Sequence, residues 1–145
     1  MKLISHRGNI YGPDKGENSP EVILKAIDLG YDVEVDVWKV GDNIFLGHDK
    51  ADYMVEKNFL FSNSSNLWCH AKNLDALEFM IRTDLHCFWH ESDDFTLTSK
   101  NFVWTFPKKP VVSNSVIVCK TLEESLSMSQ EDIYGICTDY VGEIE

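Results

Sequence analysis

Apolar and polar residues along this chain fall into short runs broken by turn-forming residues, and the period of each run predicts an element. Stretches rich in β-branched and aromatic residues recur at Leu3–His6, Val33–Trp38, Ile44–Gly47, Leu67–Lys72, His86–His90, Phe102–Thr105, Val116–Cys119 and Gly135–Thr138, and read as strands. Three other stretches carry the helical period. Pro20–Leu29 places Val22, Ile23, Ala26, Ile27 and Leu29 on one face, with Ser19 as N-cap, Pro20 in the first turn and Gly30 as the stop. Leu74–Ile81 follows a cap at Asn73, and Leu122–Met128 follows Thr121 with Glu124 in the capping-box position.

Strands alternating with helices predict an α/β domain built on a parallel sheet. Eight candidate strands suit a TIM-type (β/α) barrel, but a typical one takes ~250 residues and this chain has 145. The expectation is a single domain over residues 1–145, a compact, truncated barrel with several crossover helices missing or reduced. An open α/β sheet is the alternative that length favours.

Composition narrows the partners. The chain is 43% hydrophobic and 26% charged, ordinary for a globular domain, and its net charge is −11. An acidic chain is poorly suited to nucleic acid or an anionic membrane surface, both of which recruit clustered Lys and Arg. No apolar run approaches the ~20 residues of a membrane span, and the start MKLISHRG reads directly as structure rather than a leader. The expected location is cytoplasmic. Cys69, Cys87, Cys119 and Cys137 each sit in an apolar run without any CxxC pair, which predicts buried, reduced thiols.

Candidate chemistry concentrates in the first third of the chain. Along Asp32–Val37, Glu34 and Asp36 project to one side of a strand and Val33, Val35 and Val37 to the other. The valines suit packing under helices. Two carboxylates ~7 Å apart in a partly buried place need a cation or donors to compensate them; an exposed edge strand is the competing reading. A hairpin turn centred on Asp42 would set His48 opposite Asp36, ~5 Å away, whereas a one-residue slip would turn it to the other face. Strand one ends in His6-Arg7-Gly8, where Arg7 offers a planar fork for phosphate oxygens. Glu17 and Asn18 precede the first helix, whose N-terminus favours an anion.

Taken together, His6-Arg7-Gly8, Glu17-Asn18, Ala26, Gly30, Glu34-Val35-Asp36-Val37 and His48-Asp49 resemble the glycerophosphodiester phosphodiesterase family, within the phospholipase-C-like barrels. The likeness is strong over Ile4–Asp49 and thins beyond it, although Val103–Thr105 and Gly135–Tyr140 look like the family's last strands. The resemblance implies a phosphoric diester hydrolase of lipid metabolism acting on a small-molecule phosphodiester. It implies His6 and His48 as the acid–base pair, Glu34 and Asp36 as metal ligands, Arg7 and Asn18 as phosphate or metal-site contacts, and Lys72 as a phosphate contact. Glu17 and Trp104 are further candidates.

The chain departs from the family where a glutamate is expected two residues before Lys72. His70 stands there, as a third ligand or as a neutral residue lining a site without metal. Magnesium or calcium is the expected ion; an imidazole ligand also admits manganese or another transition metal. The segment Lys50–Asn66 is shorter than the family's insertion, which predicts an open pocket. A non-catalytic barrel that binds a phosphorylated metabolite is the rival function, and intramolecular transfer to a cyclic phosphate is a third.

Overall fold

A computed structural model describes residues 1–144. Its centre is a ten-stranded mixed sheet. The strands are β1 (Lys2–His6), β2 (Asp32–Val40), β3 (Asn43–Leu46), β4 (Tyr53–Val55), β5 (Leu67–Ala71), β6 (Cys87–Phe88), β7 (Phe95–Leu97), β8 (Val103–Thr105), β9 (Ser115–Cys119) and β10 (Gly135–Thr138). The helices are α1 (Pro20–Asp28), α2 (Lys57–Ser62), α3 (Leu74–Arg82) and α4 (Leu122–Met128), and a 3-10 turn covers Val141–Glu143. All eight expected strands and all three expected helices form. The short strands β4 and β7 and the helix α2 had no clear periodic signal, because three residues of strand or six of helix hold too few positions to show one.

Seven strands run parallel in the order β8-β9-β10-β1-β2-β5-β6 and curl into a partial barrel. Among the described residues no ladder joins β6 to β8, so the expected barrel is a curled, unclosed sheet. The gap is crossed by single bonds from Ser99, whose backbone N–H donates to the Cys87 carbonyl at 2.8 Å and whose hydroxyl accepts from the Cys87 N–H at 2.9 Å. Short β6 and β8, with no helix between them, leave too few backbone partners to close the ring.

β2 is the axis of the molecule. Its first half lies between β1 and β5, and its second half pairs antiparallel with β3. Val33, Val35 and Val37 are fully buried on the outer face in a cluster with Ile23 and Ala26 of α1 and Ala76 and Met80 of α3. Alternation then sends Asp32, Glu34 and Asp36 inward. Flanked on both sides, β2 is no edge strand, and these acids are buried at 5%, 2% and 0% exposure. Inside the curl, Ile4, Trp68, Phe88, Trp104, Val116 and Cys137 form a second apolar cluster beneath them. All four cysteines are free and buried, and burial pushes the Cys69 and Cys137 thiols well up.

The β2–β3 register corrects one expectation. Val40 pairs with Asn43, so the turn is the two-residue Gly41-Asp42, with Gly41 at φ 59°. Asp36 consequently faces Gly47, whose N–H donates to the Asp36 carbonyl at 3.1 Å, and His48 falls one residue past the expected position. At Gly47 the chain turns away sharply with φ 154°; a Cβ there would lie 2.0 Å from the Lys50 carbonyl oxygen.

Candidate functional site

The C-terminal ends of the parallel strands surround a mouth of roughly 440 Å³, where catalytic groups of barrel-like sheets collect. β1 delivers His6 and Arg7, β2 Glu34, β5 His70 and Lys72, and the segments after β6, β9 and β10 deliver His90, Lys120 and Asp139. His48 reaches the same cavity from the loop after β3 despite the register shift. Its side chain is 41% exposed, with Nδ1 2.8 Å from the Asp49 carboxylate.

Glu34, Asp36 and His70 each offer one donor atom, all within 4.8 Å of one another. His70 Nδ1 lies 3.2 Å from Asp36 Oδ1 and 3.7 Å from Glu34 Oε1. Its Nε2–H donates to the His90 carbonyl at 2.8 Å, and its ring stacks on Phe88 with centroids 5.1 Å apart. Burial works against charge on His70, yet the two carboxylates lift it to about 9. Burial likewise opposes ionisation of Asp36, but the imidazole of His70, then Arg7 and Asn18, hold it down at about 2. Glu34 Oε2 and Asp36 Oδ1 are nevertheless buried without a well-aligned hydrogen bond from any described residue. Oxygens of that kind fit a divalent cation: two carboxylates and one imidazole nitrogen make a hard-to-borderline donor set, with the other ring nitrogen of His70 already fixed by a backbone carbonyl.

Arg7 spans two acids, with Nη1 3.0 Å from Glu17 and Nε 3.1 Å from Asp36. The turn that places it is tightly held: its N–H donates to the Glu34 carbonyl at 2.9 Å, its carbonyl accepts from the Asn18 N–H at 2.8 Å, and its φ is 58°. A left-handed arginine is strained by about 1–2 kcal/mol, so the surrounding bonds hold it in place. Asn18, expected to touch phosphate or the metal site, is 1% exposed, and its amide serves Asp36 at both ends. Its Nδ2 donates to the Asp36 carboxylate at 2.9 Å, and its Oδ1 accepts the Asp36 N–H at 3.0 Å. It positions an acid rather than lining the mouth. Glu17 joins Arg7 to Asn9, Lys72 Nζ stands 3.8 Å from Asp36, and Trp104 forms part of the floor, stacked on Phe88 at 4.5 Å.

Asp139 was not singled out by the sequence. It lies 2.9 Å from His6 Nδ1 and accepts from Asn9 at 2.8 Å, while His6 Nε2 faces Glu34 at 3.9 Å. Burial lowers the His6 pKa, but the Asp139 bond and the Glu34 charge outweigh it and the net shift is upward. The signal for Asp139 was its place directly after the last strand, where a barrel puts functional groups. In the sequence, His90 belongs to a polar run, His90–Asp94, that could line the rim or be a solvated loop; its side chain is 11% exposed and it lines the cavity.

No protein-family model matches the chain, and no curated protein sequence does. Among solved structures, the chain resembles a crystal structure of glycerophosphodiester phosphodiesterase from Agrobacterium tumefaciens strain C58. The two align over 98% of this chain and 97% of that one, with a TM-score of 0.66 and 11% identity. At that identity the likeness is one of fold.

Proposed function

We propose that the chain is a metal-assisted phosphodiesterase that hydrolyses a glycerophosphodiester-like or related phosphodiester by acid–base catalysis from His6 and His48. The observation that carries this reading is the Glu34–Asp36–His70 cluster, three ligand atoms within 4.8 Å, in a mouth that also holds Arg7, Lys72 and both histidines. The fold neighbour, itself a glycerophosphodiester phosphodiesterase, supports it.

Glu34, Asp36 and His70 would hold a divalent ion, which supplies charge stabilisation for the phosphoryl oxygens in the transition state. Arg7 and Lys72 supply fixed positive charge for the non-bridging oxygens. Asp139 holds His6 by Nδ1, which leaves Nε2 turned toward the cluster to accept or give a proton, as a carboxylate orients a catalytic imidazole elsewhere. One histidine takes the proton of the attacking water as its oxygen bonds to phosphorus. The other protonates the departing oxygen as the P–O ester bond breaks, giving an alcohol and a phosphomonoester.

The test is turnover of a phosphodiester panel with Mg²⁺, Ca²⁺ and Mn²⁺, with products followed by phosphorus NMR. The expected result is metal-dependent release of a monoester, reduced roughly 10²–10⁴-fold in His6→Ala and in His48→Ala. Binding of phosphodiesters without cleavage under any metal would assign the chain to the non-catalytic class, and a cyclic product would assign it to transfer.

A further inference from the structure

The mouth has two walls of different character. Arg7 and Lys72 lie on the β1–β2–β5 side, and both are already engaged by carboxylates, Arg7 by Glu17 and Asp36 and Lys72 by Asp36. The opposite wall, formed by the end of β9 and the segments after β8 and β9, carries Phe106, Pro107, Val118 and Lys120. Around the curl β9 stands four strands from β5, with β10, β1 and β2 between them, so Lys120 enters the cavity from the side opposite Lys72.

Lys120 is fixed at its backbone and free at its tip. Its N–H donates to Glu124 Oε2 at 2.8 Å. The other oxygen of Glu124 takes Lys108 Nζ at 3.3 Å, so the carboxylate nearest to Lys120 is spent on other donors. The Lys120 ammonium rests 5.3 Å from the centroid of the Phe106 ring, and among the described residues it has no carboxylate within ion-pair distance. A cation held on an aromatic face at the edge of a cavity is oriented without being neutralised. It also occupies the ring on which a quaternary ammonium would otherwise settle. Glu91 lines the same cavity with opposite sign, but among the described residues no cation pairs with its carboxylate.

We propose that Lys120, seated on Phe106 across the mouth from Arg7 and Lys72, is a specificity residue that favours phosphodiesters in which one alcohol bears a second anionic group, a carboxylate or a phosphate, over those with a neutral or cationic head. This rests on the phosphodiesterase reading for its reaction and on the cavity's charge layout for its preference. The two are separable because the preference shows in binding as well as in turnover.

The experiment measures calorimetric affinities of non-hydrolysable phosphinate analogues, in which both ester oxygens are replaced by CH2 and the anionic oxygen is kept, with choline, glycerol, carboxylate-bearing and phosphate-bearing heads, alongside kcat/KM for the matching diesters. The proteins are the wild type, Lys120→Met and Lys120→Arg. The wild type is expected to favour the anionic heads on the order of tenfold, less at high salt. Lys120→Met should abolish that preference while leaving the glycerol head unaffected, and Lys120→Arg should restore most of it. The carboxylate and phosphate arms show which anion fits. Equal affinity for all heads in the wild type, or a preference that survives Lys120→Met, would overturn the proposal. A head-group preference in binding without turnover of any diester would uphold it and remove the phosphodiesterase reading instead. Thermal melts verify that both variants are folded.

Discussion

The interior of the curled sheet holds two acid–imidazole sites, and they are built in opposite ways. At the base, Asp32 accepts from Trp68 Nε1 at 2.9 Å and Lys2 Nζ at 3.2 Å, with Asn66 at 3.3 Å. His86 packs on Trp68 with ring centroids 4.1 Å apart and bonds Thr98 at 2.8 Å. At the mouth, four residues further along β2, Asp36 and Glu34 share His70 yet keep one poorly satisfied oxygen each. Burial pushes the His86 pKa down to about 4, helped by the Lys100 charge, whereas the carboxylates lift His70 to about 9. The same strand thus supplies a satisfied acid that holds the core together and unsatisfied acids that invite a ligand. Buried polar groups in native proteins are nearly always paired, so the exceptions mark where the fold has been arranged for something else.

The largest expected effect separates the two sites by activity. Asp36→Asn removes a candidate metal ligand and the partner of Arg7, His70 and Lys72, and metal-dependent turnover should fall by at least about 10²-fold. Asp32→Asn at the base should leave kcat per folded molecule within a few-fold of the wild type. Equal losses in the two variants, measured on samples normalised by active fold, would erase the distinction.

Stability should run the other way. Asp32→Ala strips the acceptor from the buried Trp68 N–H and should cost about 1–3 kcal/mol in urea unfolding. Glu34→Gln removes a buried charge whose Oε2 has no hydrogen-bond partner among the described residues, and the metal-free protein should be unchanged or slightly more stable, as is common when a functional acid is neutralised. The same variant should lose the metal-induced rise in Tm. For the wild type that rise reflects about 2.7 kcal/mol at a metal concentration 100 times Kd. A Glu34→Gln protein that is less stable than wild type and still stabilised by metal would contradict both parts.

Much of this contrast is legible in the sequence. The period-two pattern of β2 sends three acids to one side and three valines to the other, and only a strand flanked on both faces makes both sets buried. Hence the shared face of Glu34 and Asp36 can be read from spacing, whereas their role as ligands, and that of His70, is implied by the family resemblance. The turn was harder: a two-residue and a three-residue loop through Gly41-Asp42 differ by one position, and that position decides what faces Asp36. Asn18 is placed at the site by the resemblance, as a phosphate or metal-site contact, and only the fold shows that its amide is turned back on Asp36. Asp139 lies 133 residues from His6, so their pairing depends on β10 docking beside β1, which no local pattern encodes. Closure of the barrel was likewise a question of missing length, and β6 with two residues is too short to answer it from the sequence.

The smallest effect, and the one that reads the two histidines directly, is the pH dependence of stability in the metal-free protein. His86 has a folded value near 4 against an ordinary 6.5. Above pH 6.5 neither state carries its proton and it contributes nothing. Between 6.5 and 4 the unfolded chain takes up a proton that the folded base of the sheet refuses, so stability declines as pH falls, and the decline stops near 4. His70 has the opposite sign. With a folded value near 9, its contribution is complete below pH 6.5 and disappears as pH rises to 9. Asp36, held at about 2, adds a further loss only below its ordinary range near pH 4. Stability should therefore peak close to pH 6.5. His86→Gln should flatten the acid limb between 6.5 and 4, and His70→Gln the alkaline limb between 6.5 and 9, each leaving the other limb in place. Melting curves across pH 3.5–9.5 decide it: a His86→Gln protein that keeps the full acid limb would show that the base of the sheet does not exclude the proton, and the contrast between the two sites would lose its electrostatic ground.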